Sequence, residues 1–178
     1  MKAYQSVDNH KESKRKTLEK GEEFTYLSAM KWELRSWEEI TRDELYEMLQ
    51  LRSEVFIVEQ DCPYQDLDDK DQKCLHLWAR DECGMIAHAR LVPKGVSYDL
   101  YASIGRVVAS PKVRGTGVGQ ELMEKSVAAC LQHFPGEDIK ISAQQYLIRF
   151  YEKFGFRAIG DGYLEDNIPH IAMIRKVK

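Results

Sequence analysis

The chain has 178 residues, 43% of them hydrophobic, and its 26 basic and 29 acidic side chains leave a formal net charge of −3. That length suits one domain with a substantial core, and the charge gives no general reason to expect nucleic-acid binding. No run of 18 apolar residues is present, so no membrane span is expected, and the polar N-terminus lacks the apolar core of a signal peptide.

In chain order, residues 1–30 come first, with the mixed-charge stretch "NHKESKRKTLEKGEE". They read as a charged, flexible extension ahead of a folded domain over 31–178. "KWELRSW" is a short strand. Thr41 and Glu44 have the spacing of a capping box, and the helix they open carries Leu45, Met48, Leu49, Arg52, Val55 and Phe56 on one stripe. Arg52 therefore sits on the apolar side. A long acidic loop, "EQDCPYQDLDDKDQK", follows.

Next, "CLHLWAR" and "MIAHARLV" alternate around "DECG", a hairpin signal. With residues 81–84 between the strands, Arg80 opposes Met85, His88 opposes Leu77 and His76 opposes Ala89. This places the two histidines on opposite faces. "YASIGRVVA" is a third strand of this group, and Pro111, which has no N–H for a ladder, ends it. A glycine loop then opens a helix with Leu122, Met123, Val127, Cys130 and Leu131 inward.

"DIKISA" is a strand. "QYLIRFYEKF" is a helix with Leu147, Phe150, Tyr151 and Phe154 on one face and Gly155 as its C-terminal glycine. "FRAIG" and "PHIAMIRKV" close the chain as paired strands. The order β-α-β-β-β-α-β-α-β-β implies an α/β fold with a mixed, mostly antiparallel sheet. The four cysteines, Cys62, Cys74, Cys83 and Cys130, have no CxxC spacing. They are expected to be reduced and structural, in a cytoplasmic protein.

The glycine loop carries the chemistry. Free amides at a helix start, flanked by small residues, make an anion site, and Gly115, Gly117 and Gly119 let the backbone come close to a ligand. A phosphate-binding P-loop would need Lys-Ser/Thr after the last glycine, where this chain has Gln120 and Glu121. A dinucleotide fingerprint would need GxGxxG, and the spacing here is GxGxG. Arg114-x-x-Gly117-x-Gly119 instead resembles the acyl-CoA pyrophosphate loop of the GNAT superfamily of N-acyltransferases. With "LRSEVFIVEQDCPYQDLDDKD", "ISAQQYLIRFYEKFGF" and "YLEDNIPHIAM", the chain from about residue 32 to 178 is similar to the ElaA-like branch of that superfamily.

The resemblance implies the GNAT fold, a twisted sheet flanked by helices on both faces, with acetyl-CoA as donor and no metal. It implies that the backbone of Val107, Val108 and Ala109 holds the pantetheine arm. The pyrophosphate would fall to Arg114, Gly115, Thr116, Gly117, Val118 and Gly119. Tyr151 would protonate the departing thiolate, as a hydroxyl with a reference pKa of about 10 can at neutral pH. Gln144 or Gln145 could also contact the cofactor.

The base that would take the amine proton is open among Glu59, His76, His88 and His170, with loss of the proton to water as a further route. Arg52 needs a carboxylate or a polar cleft. Glu59 lies two turns on if the helix persists, and Asp66 and Asp68 can fold back to it. The pair is either structural or the wall of an acceptor pocket with Asp66, His76 and His170. The acidic loop is either a solvated turn or an attraction for a cationic amine. It is not a calcium loop, since counting from Asp66 the sixth position is Asp71 and the twelfth Leu77.

The functional expectation is an acetyl-CoA-dependent N-acetyltransferase acting on a primary amine of a small molecule or peptide. Neither nucleic acid nor membrane is expected as a partner, and a homodimer is left open. Two alternatives stand beside it. One is transfer from another acyl donor, because "RSEVF" also resembles the first helix of acyl-homoserine lactone synthases. The other is a non-catalytic acyl-CoA-binding module.

Overall fold

The structure is a computed structural model that describes residues 30–177. Residues 1–29 of the expected N-terminal extension lie outside the described residues. In chain order the elements are β1 (Lys31–Ser36), α1 (Arg42–Arg52), β2 (Leu75–Asp81), β3 (Gly84–Val92), β4 (Ser103–Ala109), α2 (Val118–His133), β5 (Ile139–Gln144), α3 (Ile148–Glu152), β6 (Arg157–Glu165) and β7 (Ile168–Arg175). The first four strands make an antiparallel sheet in the order β1-β2-β3-β4, and the last three make a second one in the order β5-β7-β6. The two sheets meet at one end only. Ala102 bridges Ile139 in parallel, its N–H donating to the Asp138 carbonyl at 3.1 Å and its carbonyl accepting from Lys140 N–H at 2.9 Å. Past that bridge, β4 and β5 share no ladder among the described residues.

Helix α1 begins as the capping box dictates. Thr41 N–H donates to the Glu44 carboxylate at 2.8 Å, and Glu44 N–H donates to the Thr41 hydroxyl at 3.3 Å. Met48, Leu51 and Val55 pack on Trp78, Met85 and Val108 of the sheet. Burying each such side chain stabilises the fold by about 1.5–3 kcal/mol. After Arg52 the helix does not persist as an α-helix. It widens into a π-helical stretch, Ser53–Glu59, closed by Gln60 N–H on the Val55 carbonyl at 3.1 Å. The wider turn takes Glu59 off the Arg52 face.

The β2–β3 hairpin opens as expected, with Arg80 opposite Met85, but the strands reach Asp81 and Gly84 around a two-residue turn. A bulge then intervenes. Ala79 faces Ala87, so Ile86 is an extra residue on β3 and the pairing beyond it slips by one: Trp78 faces His88, Leu77 faces Ala89, and His76 faces Arg90. This corrects the expectation for the histidines. A one-residue slip moves side chains to the other face, and His76 Nδ1 lies 3.1 Å from His88 Nε2 on one buried face.

Two closing elements also differ from expectation. The helical part after β5 is a 3₁₀ turn, Gln145–Leu147, followed by only five α-helical residues. It ends in three-residue bonds that run to Gly155, whose φ is +86°. Strand β6 continues well past "FRAIG" to Glu165. It turns into β7 through Asp166 and Asn167, both at positive φ (49° and 62°), the backbone of a tight hairpin turn.

Candidate active site

Where the sheets part, a cleft of about 730 Å³ opens between β4 and β5. Val107, Val108, Ala109 and Arg114 border it on one side, and Ser142, Gln144, Tyr151, Glu165 and His170 on the other. Strand β4 is itself bulged: Val108 pairs with His88 and Gly105 with Arg90, so Arg106 and Val107 oppose Ala89 alone. Arg106 takes a φ of +50°, which a non-glycine residue rarely adopts.

At its Arg114 end the cleft reaches the glycine loop. Gly115 and Gly117 have φ of +81° and +92°, and Gly117 is the N-cap of α2. A Cβ added at Gly115, Gly117 or Gly119 would meet no atom within 4 Å. These glycines therefore face open space beside the helix N-terminus, where the first amides lack intrahelical acceptors. Val118 is fully buried, so its side chain belongs to the core, whereas the Thr116 hydroxyl is spent on the Val113 carbonyl at 2.7 Å.

Arg114 forks onto Glu59, with Nη1 and Nη2 at 2.6 and 2.8 Å from the two carboxylate oxygens. That hydrogen bond holds the Glu59 carboxyl below its ordinary range, which weakens it as a base.

Tyr151 lies in the cleft wall at 9% exposure. Phe150 and Phe156 meet its ring edge-on, with centroids at 5.2 and 6.2 Å. Its hydroxyl bonds no other group among the described residues, and burial pushes it up to about 12, so it remains a proton donor at neutral pH.

The residues expected around the acceptor separate. His170 lines the cleft, opposite Gln144 in register, with Nδ1 held 2.8 Å from the Ile168 carbonyl. Arg52, Asp66 and His76 belong instead to a largely buried polar cluster that reaches the cleft through Arg90 and Arg106. Arg52 is fully buried and donates to Asp66 at 2.8 Å and to Asp71 at 2.9 Å. Arg90 reaches Asp68 at 2.6 Å and Asp71 at 3.0 Å, and Arg106 reaches Asp66 at 2.7 Å and Asp68 at 3.4 Å. Thus Asp68 serves Arg90 and Arg106, and Asp71 joins Asp66 on Arg52. Burial pushes Asp68 and Asp71 up, but Arg90 outweighs it at Asp68, and Arg52 with Arg90 at Asp71, so both stay below the usual carboxylate range.

His76 Nε2 lies 2.9 Å from the Asp71 carbonyl. Burial lowers His76 and lowers His88 further. Asp66 and Tyr64 also border a separate apolar cavity of about 550 Å³.

Asp71 is read from the sequence only as part of the acidic loop, not as a partner of Arg52, and Arg106, Ser142, Tyr163 and Glu165 are additions of the structure. The arginine inside "SIGRVVA" and the serine inside "DIKISA" were the available signals, each a polar residue in an apolar strand.

The GNAT acetyltransferase domain family matches residues 36–177. The protein ElaA of Escherichia coli K12 is 40% identical over 152 residues, covering 83% of this chain and 97% of its own. Its crystal structure superposes with a TM-score of 0.76 at 38% identity, over 82% of this chain and 99% of that one. An acyl-CoA N-acyltransferase from Pseudomonas aeruginosa superposes with a TM-score of 0.77 at 40% identity, over 82% and 99%. A CoA-dependent acyl-homoserine lactone synthase shares the fold alone, at 17% identity and a TM-score of 0.69 over 84% of each chain.

The fold and the family match define an acyltransferase of the GNAT class. The chain belongs to the ElaA-like branch of that family. Among the described residues no helix is long and apolar enough to cross a membrane.

Proposed function

We propose that this protein is an acetyl-CoA-dependent N-acetyltransferase that acts on a primary amine. The observation that carries the reading is the single cleft in which the β4–β5 parting, the open glycine loop at the start of α2 and the unpartnered Tyr151 hydroxyl adjoin. The fit to acetyl-CoA is tested by the glycines. Their missing side chains leave the space a pyrophosphate needs, and the α2 N-terminus favours its charge. The parted edge of β4 at residues 107–109 suits the amides of a pantetheine arm, and Arg114 adds a cation once it leaves Glu59.

When bound, acetyl-CoA supplies an acyl group on a good leaving group. Tyr151 Oη then donates its proton to the departing sulfur, with His170 as the remaining base candidate in the cleft wall. Burial pushes the Cys74 and Cys130 thiols up to about 11 and about 12, which suits structural roles in a reducing cytoplasm. The test is thiol release from acetyl-CoA over a library of primary amines. Release with at least one amine is expected. Tight acetyl-CoA binding without release from any amine would leave a binding module instead.

A further inference from the structure

The cleft wall opposite β4 has a polar corner that the proposed donor site does not use. Ser142 Oγ lies 2.6 Å from Tyr163 Oη and 2.6 Å from Glu165 Oε2. A serine hydroxyl has one hydrogen. Ser142 donates it to the carboxylate, so Tyr163 donates to Ser142, and both hydroxyl hydrogens are spent. What remains at Ser142 and Glu165 is acceptor capacity only, and both residues line the cleft.

Tyr98 lines the cleft at the same place. Burial, Tyr163 and Glu165 together push its hydroxyl up to about 12, so it stays neutral. Tyr163 also stacks on His170, with centroids 6.3 Å apart.

Charge balance separates this corner from the rest of the cleft. Arg90 and Arg106 are engaged by Asp66, Asp68 and Asp71, and Arg114 by Glu59. Lys70 lies 3.7 Å from Asp68, and Lys140 sits over the Tyr98 and Tyr101 rings at 4.5 and 5.7 Å. Among the described residues Glu165 is in no ion pair. A corner of acceptors around an unpaired carboxylate, beside an aromatic ring, matches a group that has three donors, a positive charge and no acceptor.

We propose that Ser142 and Glu165, oriented by Tyr163, form the subsite for a second ammonium group of the acceptor, so that the acceptor class is a diamine or polyamine. The inference rests on the proposed transferase reading, and the test separates the two. Calorimetric titration of 1,4-diaminobutane and of 4-aminobutanoate measures binding without turnover, and thiol release from acetyl-CoA measures kcat and KM for each.

The diamine is expected to bind more tightly and to be the better acceptor. Glu165→Gln keeps the shape and the Ser142 bond but removes the charge. It is expected to weaken diamine binding and raise its KM about tenfold, with kcat and the 4-aminobutanoate constants nearly unchanged. Asp161→Asn, which removes the same charge on β6 outside the cleft lining, should change neither. Glu165-dependent diamine binding without acetyl transfer would leave the subsite standing and remove the transferase reading. Equal constants for the two amines, or equal effects of Glu165→Gln and Asp161→Asn, would overturn the subsite.

Discussion

Around the acidic loop, the guanidiniums of Arg52, Arg90 and Arg106 are each engaged by carboxylates of Asp66, Asp68 and Asp71. Across the cleft, the chain Tyr163–Ser142–Glu165 ends on a carboxylate that no cation of the described residues meets. Both regions are polar and both adjoin the same cleft, yet they have opposite consequences. The first is closed on itself. It fixes the acidic loop against the bulged strand. The second is left with acceptors to spare, which is the condition for binding something else. Charge density alone does not distinguish the two, because the loop over 61–73 is the more acidic stretch. The distinction lies in whether each charge already has its partner.

The hardest way to break the closed region is Arg52→Ala. It takes from Asp66 and Asp71 one of two guanidinium partners each, leaving Arg106 on Asp66 and Arg90 on Asp71, so the loss should stay at or below the roughly 3–5 kcal/mol typical of a buried pair left with no partner. Urea denaturation should register that loss, and an unchanged midpoint would mean that the cluster does not hold the loop. The next effect belongs to the cleft. Tyr151→Phe keeps the ring packing and removes the hydroxyl. It should lower kcat within the range of about 10²–10⁴-fold for general acid catalysis, toward the lower end because a thiolate leaves readily. Acetyl-CoA affinity should be nearly unchanged.

Smaller again is the pH dependence of stability. His76 and His88 have folded pKa values below their unfolded ones. Below about pH 6.5 the unfolded chain therefore binds protons that the folded chain does not, and stability falls as pH falls. The slope is at most about 1.4 kcal/mol per pH unit for each histidine. Thermal midpoints between pH 7.5 and 5.5 should decline, and His88→Gln should flatten the decline. The smallest effect is at the exposed Arg114–Glu59 fork. Glu59→Gln should change stability by about 0.2–1 kcal/mol, while freeing Arg114 to strengthen acetyl-CoA binding. A weakened acetyl-CoA affinity would give Glu59 a different role.

Much of this was legible in the residues. The capping box, the strand–glycine loop–helix unit and the order of elements all follow from local pattern, and the Arg114-x-x-Gly117-x-Gly119 spacing marks the GNAT superfamily. What escaped were features that one extra residue creates. Ile86 slips the β2–β3 register and brings His76 against His88. The positive φ of Arg106 turns β4, and the π-helical turn after Arg52 hands Glu59 to Arg114. Periodicity carries no mark of such insertions, since β2 and β3 are largely buried on both faces and burial does not single out one register. The acceptor corner escaped for a different reason. Ser142 and Glu165 are 23 residues apart and meet only because β7 places β5 and β6 in one sheet.

The account turns on the glycine loop as the donor site, and isothermal calorimetry of acetyl-CoA with Gly117→Glu tests it most directly. Nothing lies within 4 Å of the position its Cβ would take, but φ is +92° there, so folding is checked first by circular dichroism. The account predicts that the folded variant loses measurable acetyl-CoA binding, because a carboxylate then fills the space of the pyrophosphate. Wild-type affinity in a folded Gly117→Glu protein would contradict it.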